Sequence, residues 1–133
     1  MTVSTKTTPF LMFQGNCAEA MQFYVSLFPD GKILDDRRYG PGEAGTEGSV
    51  NRASFTIGGQ KFLCIDSTVK HAFTFTPSVS IFIDCGSDEE LLRLFAALSD
   101  CGTVFMPLAD YGFGRRFGWV SDRFGVSWQI NLP

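Results

Sequence analysis

Two side chains near the middle of the chain could transfer a proton. His71 is the single histidine of the sequence, and histidine is the side-chain type that titrates near neutrality. Asp66 ends a predicted strand, where its carboxylate could act as a general base or bind a metal ion. Each has a structural alternative: His71 could fix a loop by hydrogen bonding, and Asp66 could cap the backbone of Ser67 and Thr68. We take His71 and Asp66 as the catalytic candidates.

Polar side chains on later strands could orient a substrate. Ser80 and Gln129 fall on the polar side of two predicted strands, although a solvated sheet surface is polar as well. Arg115 and Arg116 could bind a carboxylate or phosphonate through paired hydrogen bonds. A regular strand would point only one of them inward. The alternative for both arginines is an exposed position at the edge of a sheet.

Two loops beside these residues combine tyrosine with glycine. Tyr111 opens the segment Tyr111-Gly-Phe-Gly114, just before the two arginines, and Tyr39 precedes the glycine-rich residues 40–48. We include both tyrosines among the substrate-binding candidates. The longer loop lacks the Lys-Ser/Thr ending of a nucleotide P-loop and opens no helix. We therefore predict that it is a mobile cover rather than a phosphate site.

The elements that must position these residues form one pattern twice. Each half predicts a strand, one amphipathic helix and three further strands. Asn16 and Ser87 open the helices, and each has a glutamate three positions later, which is the spacing of a capping box. The predicted apolar helix faces are Ala18, Met21, Val25 and Phe28 in the first helix, and Leu91, Leu94, Phe95 and Leu98 in the second. The predicted strands are residues 9–13, 32–39, 50–57, 60–66, 78–85, 103–108, 115–121 and 126–132.

Alternation along the strands assigns their faces. We expect the more apolar face of each strand to pack under a helix and the mixed face to line a cavity. In the fourth strand this rule places Leu63 and Ile65 under the helix. The predicted cavity-facing set is Phe62, Cys64, Asp66, Ser78, Ser80, Phe82, Asp84, Ser127, Gln129 and Asn131.

Composition fits one domain over residues 1–133, with a first module at about 8–66, a connector at 67–77 and a second module at about 78–132. The 14 phenylalanines favour a large core or an aromatic-walled cavity. A net charge of −3 argues against a nucleic-acid partner. No apolar run approaches the roughly 20 residues that span a bilayer, and the polar start of the chain does not resemble a signal peptide. We expect a cytoplasmic protein with no membrane partner.

The four cysteines are scattered along the chain and form no Cys-x-x-Cys pair. We expect Cys17, Cys64, Cys85 and Cys101 to be buried thiols. A redox pair between Cys64 and Cys85 stays open as an alternative, because sequence spacing cannot show contact.

Several stretches, taken in order, resemble the PhnB-like branch of the vicinal oxygen chelate superfamily, which includes glyoxalase I, extradiol dioxygenases and bleomycin or fosfomycin resistance proteins. The stretches are Pro9-Phe-Leu-Met-Phe-Gln-Gly-Asn16, Ala20-Met-Gln-Phe-Tyr24, Leu27-Phe-Pro29, Gly48-Ser-Val50, residues 55–66, His71-Ala-Phe-Thr-Phe-Thr-Pro77 and Asp122-Arg-Phe-Gly-Val-Ser-Trp-Gln129. The resemblance implies an α+β fold of two β-α-β-β-β modules that form curved mixed sheets around a cavity. It also implies a homodimer.

Enzymes of this superfamily bind a divalent metal with four residues, one from each of strands one, four, five and eight. The corresponding places in this chain hold Pro9, Cys64 or Asp66, Ser78 or Ser80, and Gln129. Only Asp66 and Gln129 suit a hard cation, so the ligand pattern is incomplete and we expect no cofactor. The branch also carries a demethylubiquinone methyltransferase label, but no strand here leads into a glycine-rich loop that would seat S-adenosylmethionine.

Two functions remain open from the sequence. One is a protein that binds a small oxygen-rich or aromatic molecule in the sheet cavity. The other is a metal-dependent lyase, isomerase or dioxygenase of vicinal oxygen chelate type.

Overall fold

The computed structural model describes residues 6–133, in two compact units that divide between Lys70 and His71. Each unit is a four-stranded mixed sheet with one helix. The first unit contains β1 (Phe10–Phe13), α1 (Cys17–Ser26), β2 (Lys32–Arg38), β3 (Val50–Ile57) and β4 (Gln60–Asp66). The second contains β5 (Ser80–Asp84), α2 (Asp88–Ser99), β6 (Thr103–Ala109), β7 (Arg116–Ser121) and β8 (Ser127–Leu132). The two predicted β-α-β-β-β modules are confirmed.

The sheets share one topology. The strand orders are β1-β4-β3-β2 and β5-β8-β7-β6, and in each sheet the first strand runs parallel to its neighbour while the other pairs are antiparallel. A parallel pair needs a crossover, which the helix supplies. The β3–β4 hairpin turns at Gly58 and Gly59, whose φ angles are +55° and +83°. Both carboxylate oxygens of Asp30 accept hydrogen bonds from this turn, at 2.9 Å from Gly58 N and 2.8 Å from Gly59 N.

In the second unit the helix covers the face that alternation predicts. Trp128, Ile130 and Leu132 of β8 are buried, and α2 buries Leu91, Leu94 and Leu98. Gly118 of β7, which pairs with Ile130, lies under the ring of Phe95, where an added Cβ would stand 2.6 Å from Cε2. The close approach of helix and sheet therefore requires glycine at this position.

In the first unit the face prediction is wrong for β4. Phe62, Cys64 and Asp66 are buried on the side of α1, where Cys64 Sγ lies 3.8 Å from Met21 Sδ. Leu63 and Ile65 are half-buried on the opposite, open side. Both faces of this strand are apolar enough to pack, so alternation separated them correctly but could not say which one the helix covers.

The helix face predicted for α1 is also corrected. Its buried residues are Cys17, Ala20, Met21 and Tyr24, so of the predicted set only Met21 is fully buried. Cys17, Met21 and Tyr24 are spaced by four and three positions and lie on one face. The aromatic Tyr24, rather than Val25, packs against β3, with its ring 6.1 Å from that of Phe55.

The two helices begin differently although both sequences have the spacing of a capping box. Ser87 Oγ accepts a hydrogen bond from Glu90 N at 3.2 Å, and Glu90 Oε1 accepts one from Gly86 N at 3.0 Å. Side chains therefore satisfy a backbone N–H group before the N-cap of α2 and another in its first turn. Asn16 occupies the N-cap position of α1 but its side chain makes no capping hydrogen bond. The capping box predicted at Asn16 is therefore wrong.

This difference gives a paired test. Ser87→Ala should lower the free energy of unfolding by about 1 kcal/mol, because the hydroxyl satisfies an unpaired backbone donor of the first turn. Asn16→Ala is the matched control and should change it by much less. Urea denaturation followed by circular dichroism measures both, and equal losses would contradict the assignment.

Candidate functional site

The second sheet presents an open face on the side away from α2. Cross-strand pairs place Gln129 of β8 between Phe82 and Trp119, and Asn131 of β8 between Asp84 and Phe117. Paired residues project to the same side of a sheet. We call this side the second-sheet open face. It consists of Ser80, Phe82 and Asp84 of β5, Phe117 and Trp119 of β7, and Ser127, Gln129 and Asn131 of β8.

Hydrogen bonds join the polar side chains of this face. Trp119 Nε1 donates to Ser127 Oγ at 2.8 Å, and the hydroxyls of Ser127 and Ser80 lie 2.6 Å apart. Gln129 Nε2 donates to Ser80 Oγ at 3.3 Å. The structure thus brings the predicted residues Ser80 and Gln129 together, and the Ser80 hydroxyl is held from two sides. Such a fixed hydroxyl can orient a polar group of a ligand without first losing rotational freedom.

The same face carries an aromatic cluster. Phe117 is buried and its ring stands 4.8 Å from that of Phe113, 6.1 Å from Tyr111 and 6.4 Å from Phe82. Phe82 is 53% exposed and Phe113 60% exposed. Tyr111 Oη donates to Pro107 O at 2.6 Å, which anchors the loop that carries both Tyr111 and Phe113. Exposed ring faces beside a fixed hydroxyl suit a planar ligand with polar substituents.

Neither predicted arginine joins this cluster. Arg116 pairs with Leu132 and alternates with Phe117, so it lies on the helix-facing side of β7. Arg115 precedes the strand and donates from Nε to Pro133 O at 3.1 Å. A carboxylate-binding role for either residue stays a prediction without support from this geometry.

Asp66 is a structural hub of the first unit. Its Oδ1 accepts hydrogen bonds from Gly15 N at 2.8 Å and Cys17 N at 3.0 Å, and its Oδ2 accepts one from Val50 N at 2.9 Å. The side chain is 3% exposed. These bonds cap the start of α1 and fix the start of β3, instead of capping Ser67 and Thr68 as the sequence suggested. A catalytic role for Asp66 is untested, but its carboxylate already binds three donors.

A cleft of about 640 Å³ opens beside Asp66. Its walls are the β1–α1 turn, the glycine-rich loop and the chain after β4, formed by residues 14–15, 44–49 and 66–70. Backbone hydrogen bonds close the loop, with Tyr39 N donating to Ser49 O and Gly48 N donating to Tyr39 O, both at 2.9 Å. The Tyr39 ring packs on Gly45, where a Cβ would stand 2.3 Å from Cδ2. Tyr39 thus shapes the loop, and movement of the loop as a cover stays a prediction.

His71 begins the second unit and is half-buried. Its ring stacks on that of Phe73, with centroids 4.6 Å apart and planes at 23°. Asp66 belongs to the first unit, so the two catalytic candidates fall in separate units. Proton transfer by His71 stays a prediction.

The thiols are packed mainly as core groups. Cys17, Cys64 and Cys85 are buried, whereas the prediction is wrong for Cys101, which is exposed; all four are free. A hydrogen bond with Cys64, together with burial, raises the pKa of the Cys17 thiol. Burial raises the pKa of Cys85 to about 11. These two thiols therefore stay protonated at neutral pH, which disfavours nucleophilic or metal-binding roles.

The places implied for a divalent metal do not fit one. Pro9 and Ser78 lie outside the strands. Cys64 and Asp66 point to the helix side of β4. On the open face of β1 and β4 the paired residues Met12 and Ile65 occupy the corresponding positions. Within residues 6–133 no three His, Cys, Asp or Glu side chains converge as a metal site. Methionine, isoleucine and serine side chains are poor ligands for hard cations.

Two residues of the second-sheet open face, Phe117 and Trp119, are not among the site residues predicted from the sequence. Phe117 and Trp119 alternate with Gly118, and their face follows once β7 is aligned with β8. The sequence gives the alternation, but the cross-strand register comes from the folded sheet.

Comparisons with known proteins agree with this architecture. The family described as 3-demethylubiquinone-9 3-methyltransferase matches residues 5–131. A solved structure described as a putative 3-demethylubiquinone-9 3-methyltransferase, PhnB protein, from Bacillus cereus is 47% identical, with a TM-score of 0.94 over 97% of this chain and 100% of that one. Protein YjdN of Escherichia coli (strain K12) is 25% identical over 94% of this chain and 93% of its own length.

A more distant likeness concerns the fold alone. A glyoxylase/bleomycin resistance protein/dioxygenase domain from Frankia sp. EAN1pec is 16% identical, with a TM-score of 0.64 over 98% of both chains. The paired β-α-β-β-β units are thus those of the vicinal oxygen chelate fold. The chain belongs to the PhnB-like family whose description is 3-demethylubiquinone-9 3-methyltransferase. No helix within residues 6–133 is long and apolar enough to cross a membrane.

The geometry of Asp66 predicts a stability effect. Asp66→Asn should lower the free energy of unfolding by roughly 2–4 kcal/mol, because an amide NH2 would replace one acceptor and leave a buried backbone donor unpaired. Asp35→Asn, an exposed carboxylate in a 3.5 Å ion pair with Arg37, is the control and should be nearly neutral. Chemical denaturation measures both. If Asp66→Asn is as stable as the unmodified protein, Asp66 is not the hub described here.

Proposed function

We propose that this protein binds a small aromatic molecule with oxygen substituents on the second-sheet open face. One observation carries the proposal: the half-exposed Phe82 lies two positions from Ser80 on the same face of β5, and Ser127 and Gln129 already hold the Ser80 hydroxyl. The ring supplies apolar contact, and the hydroxyl supplies a polar contact of defined direction.

The energetics favour a ligand of this kind. An aromatic pair contributes about 0.5–1.5 kcal/mol beyond the area that it buries, and the buried ring of Phe117 lies 6.4 Å from that of Phe82. A hydrogen bond between a ligand hydroxyl and the Ser80 oxygen adds selectivity for oxygen-bearing rings, because a ring without a polar group forms no such bond. The proposal includes no metal ion, since Asp84 is the one carboxylate of this face and Asn131 Nδ2 already donates to it at 3.0 Å.

The first experiment is a titration with 2-naphthol, followed by the fluorescence of Trp119. Phe82→Ala should weaken binding about tenfold through the loss of ring contact. Phe73→Ala is the matched control, because Phe73 is 62% exposed but stacks on His71. Trp119→Phe should abolish the fluorescence change, which would assign it to Trp119 rather than Trp128. EDTA should leave the affinity unchanged, because the proposed site uses no metal ion.

Two outcomes contradict the proposal. One is an equal loss of affinity in Phe82→Ala and Phe73→Ala. The other is the absence of saturable binding, by fluorescence or by NMR shifts, across a set of hydroxylated aromatic compounds. Mass spectrometry of the recovered probe decides between binding and turnover, since a binder returns it unchanged.

We also propose that the protein is a homodimer. Large apolar side chains stand exposed on both sheets, among them Phe10 of β1 at 54% and Val104 and Phe105 of β6 at 46% and 40%. Large apolar side chains exposed on sheet strands are a common feature of protein interfaces. Sedimentation velocity should give twice the chain mass of 14.7 kDa, and Phe10→Asp should shift the population toward monomer. A concentration-independent mass of one chain would overturn the proposal.

A further inference from the structure

We propose that the open face of the first sheet contains a binding site for an organic oxyanion, formed by Arg37 and Arg52. The ligand class is a carboxylate, phosphate or phosphonate attached to a small apolar body. The site lies in the first unit and uses none of the residues of the second-sheet open face, so it does not rest on the function proposed above.

The sheet register places the two guanidinium groups side by side. Arg37 of β2 and Arg52 of β3 are direct cross-strand partners. Such partners project to the same face, with Cβ atoms about 4.5–5.5 Å apart. The face is the open one, because the next residue of β3, Ala53, pairs with Cys64 and is buried on the α1 side. Two planar groups with paired N–H donors therefore point into the same region.

The charge of this face is opposite to that of the whole chain. The protein carries a net charge of −3. The cross-strand pairs of Thr56 with Lys32 and with Lys61 add two lysines to the face of Arg37 and Arg52. Asp35, which pairs with Ser54, is a carboxylate on the same face. Four cations and this one carboxylate give a local positive field that attracts anions.

The two arginines are poorly neutralised by the protein. Arg37 Nε lies 3.5 Å from Asp35 Oδ2, and the side chains are 71% and 55% exposed, so this pair contributes little. Within residues 6–133, Arg52 makes no ion pair or side-chain hydrogen bond. Arg38 shows the contrast: it binds both oxygens of Asp36, at 2.6 and 3.0 Å, and Gly48 O at 3.1 Å.

An oxyanion would remove an unfavourable contact. Like charges that face each other across strands destabilise a sheet. An anion between the two guanidinium groups replaces this repulsion with charge-assisted hydrogen bonds, and arginine forks match the geometry of carboxylate and phosphate oxygens.

An apolar surface continues from the arginines along the same face. Leu63 pairs with Ser54, so the antiparallel register puts Ile65 beside Arg52, and Met12 pairs with Ile65 on the far side. Ile65 and Met12 are half-buried. Neighbouring strands are about 4.8 Å apart, so a ring bound at Arg52 through its anionic group would lie over Ile65. This arrangement selects an anion that carries an apolar body.

Isothermal titration with phenylphosphonate tests the site. Arg52→Gln should weaken binding at least about tenfold, which is the weight of one charge-assisted hydrogen bond. Asp35→Asn should strengthen binding, because it removes a carboxylate of this face that repels the anion. Arg123→Gln is the control for net charge, since Arg123 is paired with Asp100 in the second unit, and it should bind as the unmodified protein does. Added salt should weaken binding.

The thermal midpoint separates binding from a structural effect. Without ligand, Arg52→Gln should melt at the same temperature as the unmodified protein or higher, because a repulsion is removed. Phenylphosphonate should raise the midpoint of the unmodified protein and not that of Arg52→Gln. Unchanged affinity in Arg52→Gln, or weaker binding in Asp35→Asn, overturns the proposal. Phe82→Ala should still bind phenylphosphonate and Arg52→Gln should still bind 2-naphthol, so either site can fail alone.

Discussion

The buried carboxylate of Asp66 is the interaction on which the first unit depends. It joins the turn before α1, the start of β3 and the end of β4 through three backbone donors. The second unit uses Asp122 in a related way: its Oδ1 accepts from Phe124 N at 2.8 Å and Val126 N at 3.1 Å, and its Oδ2 accepts from Trp128 Nε1 at 2.8 Å. A buried carboxylate is stable only when such donors surround it. Each aspartate therefore fixes the segments around it as a condition of being buried.

The two sides of each sheet differ in their residues. One side is closed by a helix and holds the largest buried side chains, such as Trp128 and Tyr24. The other side carries polar and charged groups whose burial costs free energy, namely the Ser80 hydroxyl and the guanidinium groups of Arg37 and Arg52. It also carries the exposed ring of Phe82. The two open faces differ in chemistry, since the second is aromatic and hydroxyl-rich and the first is basic beside aliphatic residues. The topology repeats, but the recognition surface does not.

Sequence patterns succeeded where a single physical preference dominates. Alternation along β8 sets Trp128 and Ile130 against Gln129 because apolar and polar residues differ strongly in their cost of burial. The same rule failed for β4, where Leu63 and Phe62 are both apolar and the choice of face falls to the packing of Tyr24 and Met21. Asn16 and Ser87 carry the same local motif, yet only Ser87 caps its helix. At Asn16 the distant carboxylate of Asp66 already bonds Gly15 N and Cys17 N on either side of it.

By itself the sequence determined the two β-α-β-β-β modules, the positions of their turns and the polar row of β8. Each follows from local periodicity or from a turn residue such as Gly58. Only the tertiary structure decided which face of β4 is buried, that Asp66 is a hub, and that Arg37 and Arg52 are neighbours. These facts depend on contacts between residues 15 to 51 positions apart in the chain. Strand register and helix docking create such contacts, and no local pattern encodes them.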